Sequence, residues 1–86
     1  MVSKTVKIIN KLGLHARPSA KVVQTASKFK SEITLVKEGL EVNGKSIMGV
    51  MMLAAEAGAD ITVIASGPDE EEAVKTLGEV IGSKFE

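Results

Sequence analysis

The sequence predicts an α+β fold, one antiparallel sheet with helices on one face, with elements in the order βαββαβα. Three observations predict it. Short β-branched or alternating segments at residues 5–9, 32–37, 40–43 and 60–66 are interleaved with three segments of helical apolar spacing. Turn signals at Glu38-Gly39, Asn43-Gly44 and Gly67-Pro68 separate several of them. Lys7, Thr34 and Thr62 fall on the outward positions of the strands, as an antiparallel sheet with one wet face requires.

The first strand is read over residues 5–9, with Val6 and Ile8 on one side. From Ala16 the period becomes helical: Ala16, Ala20 and Val23 form one apolar line, and Val22, Ala26 and Phe29 its neighbour. Lys21, Gln24, Lys28 and Lys30 face outward, and this helix is expected to end near Lys28. Ile33 and Leu35 point inward from the second strand, which returns through Glu38-Gly39 as a hairpin. Ser46 is placed to cap a short helix over residues 47–55, with Gly58 as a helix stop. Ile61, Val63 and Ala65 share one side of the last strand. Asp69, followed three residues later by Glu72, predicts a capping box, and the acidic run from Asp69 to Glu72 suits the positive end of a helix. Ala73, Val74, Leu77, Val80 and Ile81 form that helix's buried stripe, with Lys84 at its C-terminal end. No linker, repeat or low-complexity stretch divides the chain, so one domain is expected over residues 1–86.

Composition removes several function classes. Eleven basic residues balance eleven acidic ones, so the bulk positive field of a nucleic-acid binder is missing. There is no cysteine and one histidine, which excludes disulfides, thiolate metal sites and His-rich metal sites; no metal or cofactor is expected. With no long apolar run, neither a signal peptide nor membrane insertion is expected, and a cytoplasmic location is the default.

The lone histidine and the lone arginine stand two residues apart in Gly13-Leu14-His15-Ala16-Arg17-Pro18. His15 falls just before a helix start. The positive helix end disfavours imidazolium and leaves a neutral, nucleophilic ring. The backbone N–H groups of Ala16 and Arg17 offer an anion site, and the Arg17 guanidinium binds phosphate oxygens as a fork. Pro18 suits a first turn and Gly13 a tight approach to it. The bland reading is a surface histidine and a solvated arginine. Against it, a positive charge at a helix start costs roughly 0.3–1 kcal/mol. Ser46 reads first as an N-cap, though a phosphate there would also face helix N–H groups. Ile47, Met48, Met51 and Met52 make their short helix apolar nearly all round, more than one small core can bury, which points to a docking patch of adaptable methionines.

These residues resemble a known family. Residues 13–20, Gly-Leu-His-Ala-Arg-Pro-Ser-Ala, resemble the active-site signature of the histidine-containing phosphocarrier (HPr) family of the bacterial phosphoenolpyruvate-dependent phosphotransferase system. Residues 45–51, Lys-Ser-Ile-Met-Gly-Val-Met, resemble its second signature, around a regulatory serine. The resemblance spans essentially the whole chain. It implies an open-faced β-sandwich of a four-stranded antiparallel sheet and three helices. It implies that His15 takes a phosphoryl group on Nδ1 from enzyme I and gives it to an enzyme IIA, with Arg17 positioning the phosphate and no independent turnover. It also implies that Ser46 is a target of the HPr kinase/phosphorylase, that a catabolite-control transcription regulator is a further partner, and that Ile47, Met48 and Met51 meet partners.

Some residues depart from the commonest pattern. Leu12 precedes the signature glycine where many sugar-branch members carry a small polar residue, and Ser19 stands where many have alanine. Residues 10–13 and 67–73 look similar to the nitrogen-related branch, so a regulatory module acting mainly by protein binding is the alternative. The hairpin tip at residues 37–40 matches no functional feature of the family. A third reading, an acylphosphatase-like hydrolase holding phosphate with Arg17, would need an amide to orient water, and neither Asn10 nor Asn43 is well placed for it.

Overall fold

The computed structural model describes residues 1–9, 16–53 and 55–83. The elements are β1 (Val2–Lys7), α1 (Ala16–Ala26), β2 (Glu32–Lys37), β3 (Leu40–Asn43), α2 (Ile47–Met52), β4 (Asp60–Ser66) and α3 (Glu70–Ile81). The sheet is antiparallel throughout, in the order β1-β4-β2-β3, so β1 and β3 are its edges. The predicted order and layering hold.

Period-2 alternation orients the sheet. Ile33, Leu35, Ile61, Val63 and Ala65 are buried on one face, against Val22 and Ala26 of α1 and Ala73, Leu77 and Ile81 of α3. Each fully buried aliphatic side chain of this set larger than alanine contributes about 1.5–3 kcal/mol. Across the other face Thr5 and Thr62 share a hydroxyl hydrogen bond of 2.9 Å and Lys7 pairs with Asp60 at 3.1 Å. Ser19, Thr25 and Ser31 are buried polar residues. Thr25 Oγ1 donates to Lys21 O at 2.8 Å, and no buried side-chain polar atom among the described residues lacks a partner.

Several boundaries differ from the sequence reading. β1 starts three residues earlier than expected and stops at Lys7, because its length is set by the β4 residues it pairs with, from Val2 opposite Ala65 to Lys7 opposite Asp60. Lys4 therefore occupies an inward register position. Its stem lies along Gly78 of α3, where an added Cβ would be 3.4 Å from Lys4 Cδ. α1 ends at Ala26, and residues 27–29 tighten: Lys28 N donates to Thr25 O at 3.2 Å and Phe29 N to Ala26 O at 3.1 Å. α2 ends at Met52 rather than near residue 55, because Leu53 N turns back to Val50 O at 3.2 Å and Leu53 itself is buried. Gly58 thus sits in the following turn at φ +90 instead of stopping the helix. Ala20, Val23 and Val80 are half-buried rather than central to the core. The predicted position of Lys84 lies outside the described residues.

The turns behave as their residues dictate. Glu38 and Gly39 both adopt positive φ, 49° and 85°, as a two-residue hairpin loop with the twist of its strands requires. Asn43 Oδ1 accepts from Lys45 N at 2.9 Å, and Gly44 N donates to Ile33 O at 2.8 Å.

The capping box at α3 is replaced by another arrangement. Asp69 occupies the N-cap position but makes no side-chain bond to its own helix. Its carboxylate instead accepts from Lys30 N at 2.9 Å, Ser31 N at 3.0 Å and the Ser31 hydroxyl, which tie the α1–β2 loop to the β4–α3 loop. Glu70, not Glu72, reaches back to Gly67 N at 3.0 Å.

Candidate functional site

α1 begins at Ala16, so the signature residues that precede it, His15 with Gly13 and Leu14, lie outside the described residues. The described part of the site is the helix start. Pro18 and Ser19 are fully buried and anchor the first turn to the core, while Arg17 is exposed. Pro18 gives up no intrahelical hydrogen bond there, since first-turn N–H groups have no carbonyl partner within the helix. The first turn holds no acidic residue, so nothing in it competes with an anion for Arg17 or for the Ala16 and Arg17 backbone.

α1 packs beside α2. Ser46 is the N-cap of α2, with φ −110, and its Oγ accepts from Gly49 N at 3.1 Å. Such a cap is worth about 1 kcal/mol, so the structural reading of Ser46 holds whatever else the residue does. The adjoining Lys45 donates from Nζ to Phe29 O at 2.7 Å, joining the start of α2 to the turn that follows α1. Within α2 only Val50 is buried, and Ile47, Met48, Met51 and Met52 are 41–73% exposed. The near-complete apolar circumference thus resolves into one buried contact and a broad exposed face. Met52 belongs to that face although the family signature does not reach it.

Carboxylates elsewhere are held ionised by their partners. The Ser31 hydroxyl, then the Lys30 N–H, pull the Asp69 carboxyl below its ordinary value. The Gly67 N–H, then the N-terminal ammonium, do the same for Glu70. Glu56 is lowered by its own backbone N–H and by Lys37. Two of these contacts carry positioning information that the sequence signals missed. Asp69 bonds to a loop 38 residues away, and Lys37 to a helix end 16 residues away, and neither spacing has a local signature.

An open sheet backed by helices carries an exposed arginine in a helix first turn and an exposed apolar helix beside it, an arrangement that suits a surface protein-binding module able to hold an anion. The comparisons give the family. Residues 2–83 match the family described as the PTS HPr component phosphorylation site. The chain is 53% identical over 85 residues to the phosphocarrier protein HPr of Neisseria meningitidis serogroup B, covering 99% of this chain and 96% of that one. It superimposes on the crystal structure of HPr from Thermoanaerobacter tengcongensis with a TM-score of 0.90 at 52% identity, covering 94% and 91% of the two chains. It is also 49% identical over 77 residues to the HPr-like protein Crh of Bacillus subtilis, covering 90% and 91%. The chain belongs to the HPr family of phosphocarriers. It relays a phosphoryl group between enzyme I and enzyme IIA of the phosphotransferase system and has no independent turnover.

Proposed function

We propose that His15 is the residue that carries the phosphoryl group in this relay, with Arg17 as its phosphate-positioning partner and the Ala16 and Arg17 N–H groups completing the anion site. The observation that carries this reading is the exposed Arg17 in the first turn of a helix that begins directly after His15. In the transfer, the neutral Nδ1 lone pair attacks phosphorus on phosphorylated enzyme I as that bond breaks. A later acceptor on enzyme IIA attacks in turn and releases His15. Both steps concentrate charge on the phosphoryl oxygens, where a guanidinium and helix-end N–H groups stabilise it without enclosing it. A relay needs that balance, because a group held too tightly does not leave. Mass spectrometry after incubation with enzyme I and phosphoenolpyruvate is expected to find one acid-labile phosphate on His15, and its absence there refutes the assignment.

The docking face of this reading is Ile47, Met48 and Met51, with Met52 beside them. The reading includes a cytoplasmic location, where the relay partners it proposes would act, and a single domain over residues 1–86.

A second role is favoured by the position of Ser46. Phosphate on its hydroxyl would set negative charge at the start of the docking helix, weakening enzyme I binding and creating a surface for a catabolite-control regulator. The HPr kinase/phosphorylase is the partner that role implies. Crh of Bacillus subtilis, 44% identical to this chain, is described as a catabolite repression HPr. Phosphorylation of purified protein by that kinase, mapped to Ser46, supports the role; no incorporation at Ser46 argues against it.

A further inference from the structure

The tip of the β2–β3 hairpin, residues 37–40, has no part in the family signatures, yet it is fastened to the docking helix. Lys37 is the last residue of β2, and its side chain is only 14% exposed. Its Nζ donates to Leu53 O at 3.4 Å and lies 3.2 Å from Glu56 Oε1. One ammonium therefore joins the hairpin, the C-cap of α2 and the loop that follows.

That junction matters because α2 is short and adds only Val50 and its C-cap Leu53 to the core. Six residues are far too few for a helix to persist by itself. Its N-terminal end is fixed by the Ser46 cap and by the Lys45 bond to Phe29 O. Between its ends only Val50 is buried. With so little core contact, the two end attachments help to set the direction in which the methionines face. At the C-terminal one, a positive charge meets the unpaired carbonyls and the negative end of the helix dipole.

We infer that Lys37 is a positioning residue for partner docking: it fixes the C-terminal end of α2, and through it the orientation of the exposed methionine face toward enzyme I. The inference rests on reading α2 as the docking helix. Lys37 touches no phosphate, so its loss changes the concentration of carrier needed to saturate enzyme I, while the transfer step itself is unaltered. A purely structural lysine would lower the unfolding midpoint and leave both kinetic parameters of the folded protein alone.

The test is enzyme I-dependent phosphorylation of the full chain, with carrier concentration varied. Lys37→Met keeps the stem and removes the charge, whereas Lys37→Arg keeps the charge and the donors. Lys37→Met is expected to raise KM about threefold to tenfold with kcat within about twofold, and Lys37→Arg to restore KM. Urea melts establish that each variant is folded in the assay. An unchanged KM in folded Lys37→Met overturns the inference, and so does a Lys37→Arg variant as impaired as Lys37→Met. If Lys37→Met does not fold, Glu56→Gln takes its place: a smaller rise in KM supports the inference and an unchanged KM overturns it. Met48→Asp separates the two layers of the argument. If it raises KM and Lys37→Met does not, only the positioning role falls. If it leaves KM unchanged, the docking reading falls and the positioning role with it.

Discussion

Gly67→Ala is expected to be among the most damaging single-methyl additions in this chain. Gly67 has φ +154, a conformation L side chains rarely adopt. An added Cβ would stand 2.6 Å from Ser31 Cα, 2.7 Å from Ser31 Oγ and 3.0 Å from Ser31 Cβ, about 1 Å inside ordinary contact. The obstacle is backbone, so no rotamer change relieves it. The strained backbone costs about 1–3 kcal/mol and the overpacking about 1–3 kcal/mol more. Relief by separating the two loops would also break the Asp69 bonds to Lys30 and Ser31. The total is about 2–6 kcal/mol, against a stability of roughly 4–13 kcal/mol for a chain this long. With a urea slope of about 1 kcal/mol per molar, the midpoint should fall by about 2–6 M. Two controls separate the contributions. Gly58 also has positive φ but nothing within 4 Å of an added Cβ, so Gly58→Ala measures strain alone, about 1 kcal/mol. At Gly44, which has no positive φ, an added Cβ would stand 2.5 Å from Cγ2 of the buried Ile33, so Gly44→Ala measures overlap alone, about 1–3 kcal/mol. A Gly67→Ala midpoint no lower than that of Gly58→Ala would refute the steric argument.

Four further outcomes are expected. Glu38→Asn relieves a positive φ in the hairpin turn and should stabilise the protein by about 0.5–1 kcal/mol, read as a higher melting temperature. Because Asp69 and Glu70 ionise more readily folded than unfolded, their contribution is complete above the ordinary carboxylate values of 3.8 and 4.5 and is lost as pH falls through the lowered native ones. Urea midpoints should thus decline below about pH 4.5, less steeply for Asp69→Asn; an identical acid slope would dissociate Asp69 from it. Arg17→Lys keeps the charge and loses the fork, so transfer from enzyme I should slow about tenfold or more in a rapid-quench assay, with the fold intact. Ser46→Asp should weaken enzyme I docking, measured as a raised KM; equal KM values would remove the case for electrostatic control at this position.

The elements that local pattern controls were legible in the sequence. Alternation placed Ile33, Leu35, Ile61, Val63 and Ala65 inward, and the side chains that decide the β2–β3 turn are the turn residues themselves. The Ser46 cap was legible because donor and acceptor are three residues apart. What escaped was set at long range. Asp69 has the spacing of a capping box, but Ser31, 38 residues away in the chain, supplies a hydroxyl and a backbone N–H together and takes the carboxylate. The β1 boundary depends on β4, whose register no residue of β1 encodes. The site divides the same way. Two unique residues in one motif, His15 and Arg17, are conspicuous by rarity, and the surplus of apolar residues in α2 announced an exposed face. Lys37 reads as one more surface lysine until the hairpin brings it to Leu53.

The same long-range contacts explain how a small carrier keeps an apolar face in water without collapsing onto it. A relay must present one surface to a donor and then to an acceptor, so the surface has to fit two partners. On the proposed docking face methionine would provide this, with three rotatable bonds and no branch to dictate a single shape. Adaptable side chains on an adaptable backbone would cost too much order on each encounter. Rigidity therefore has to come from the backbone below. In α2 it is concentrated at the two ends, in Ser46 and Lys45 at one and in Leu53 and Lys37 at the other, with Val50 buried between them. On that inference the methionines conform to each partner while the helix that carries them keeps its place.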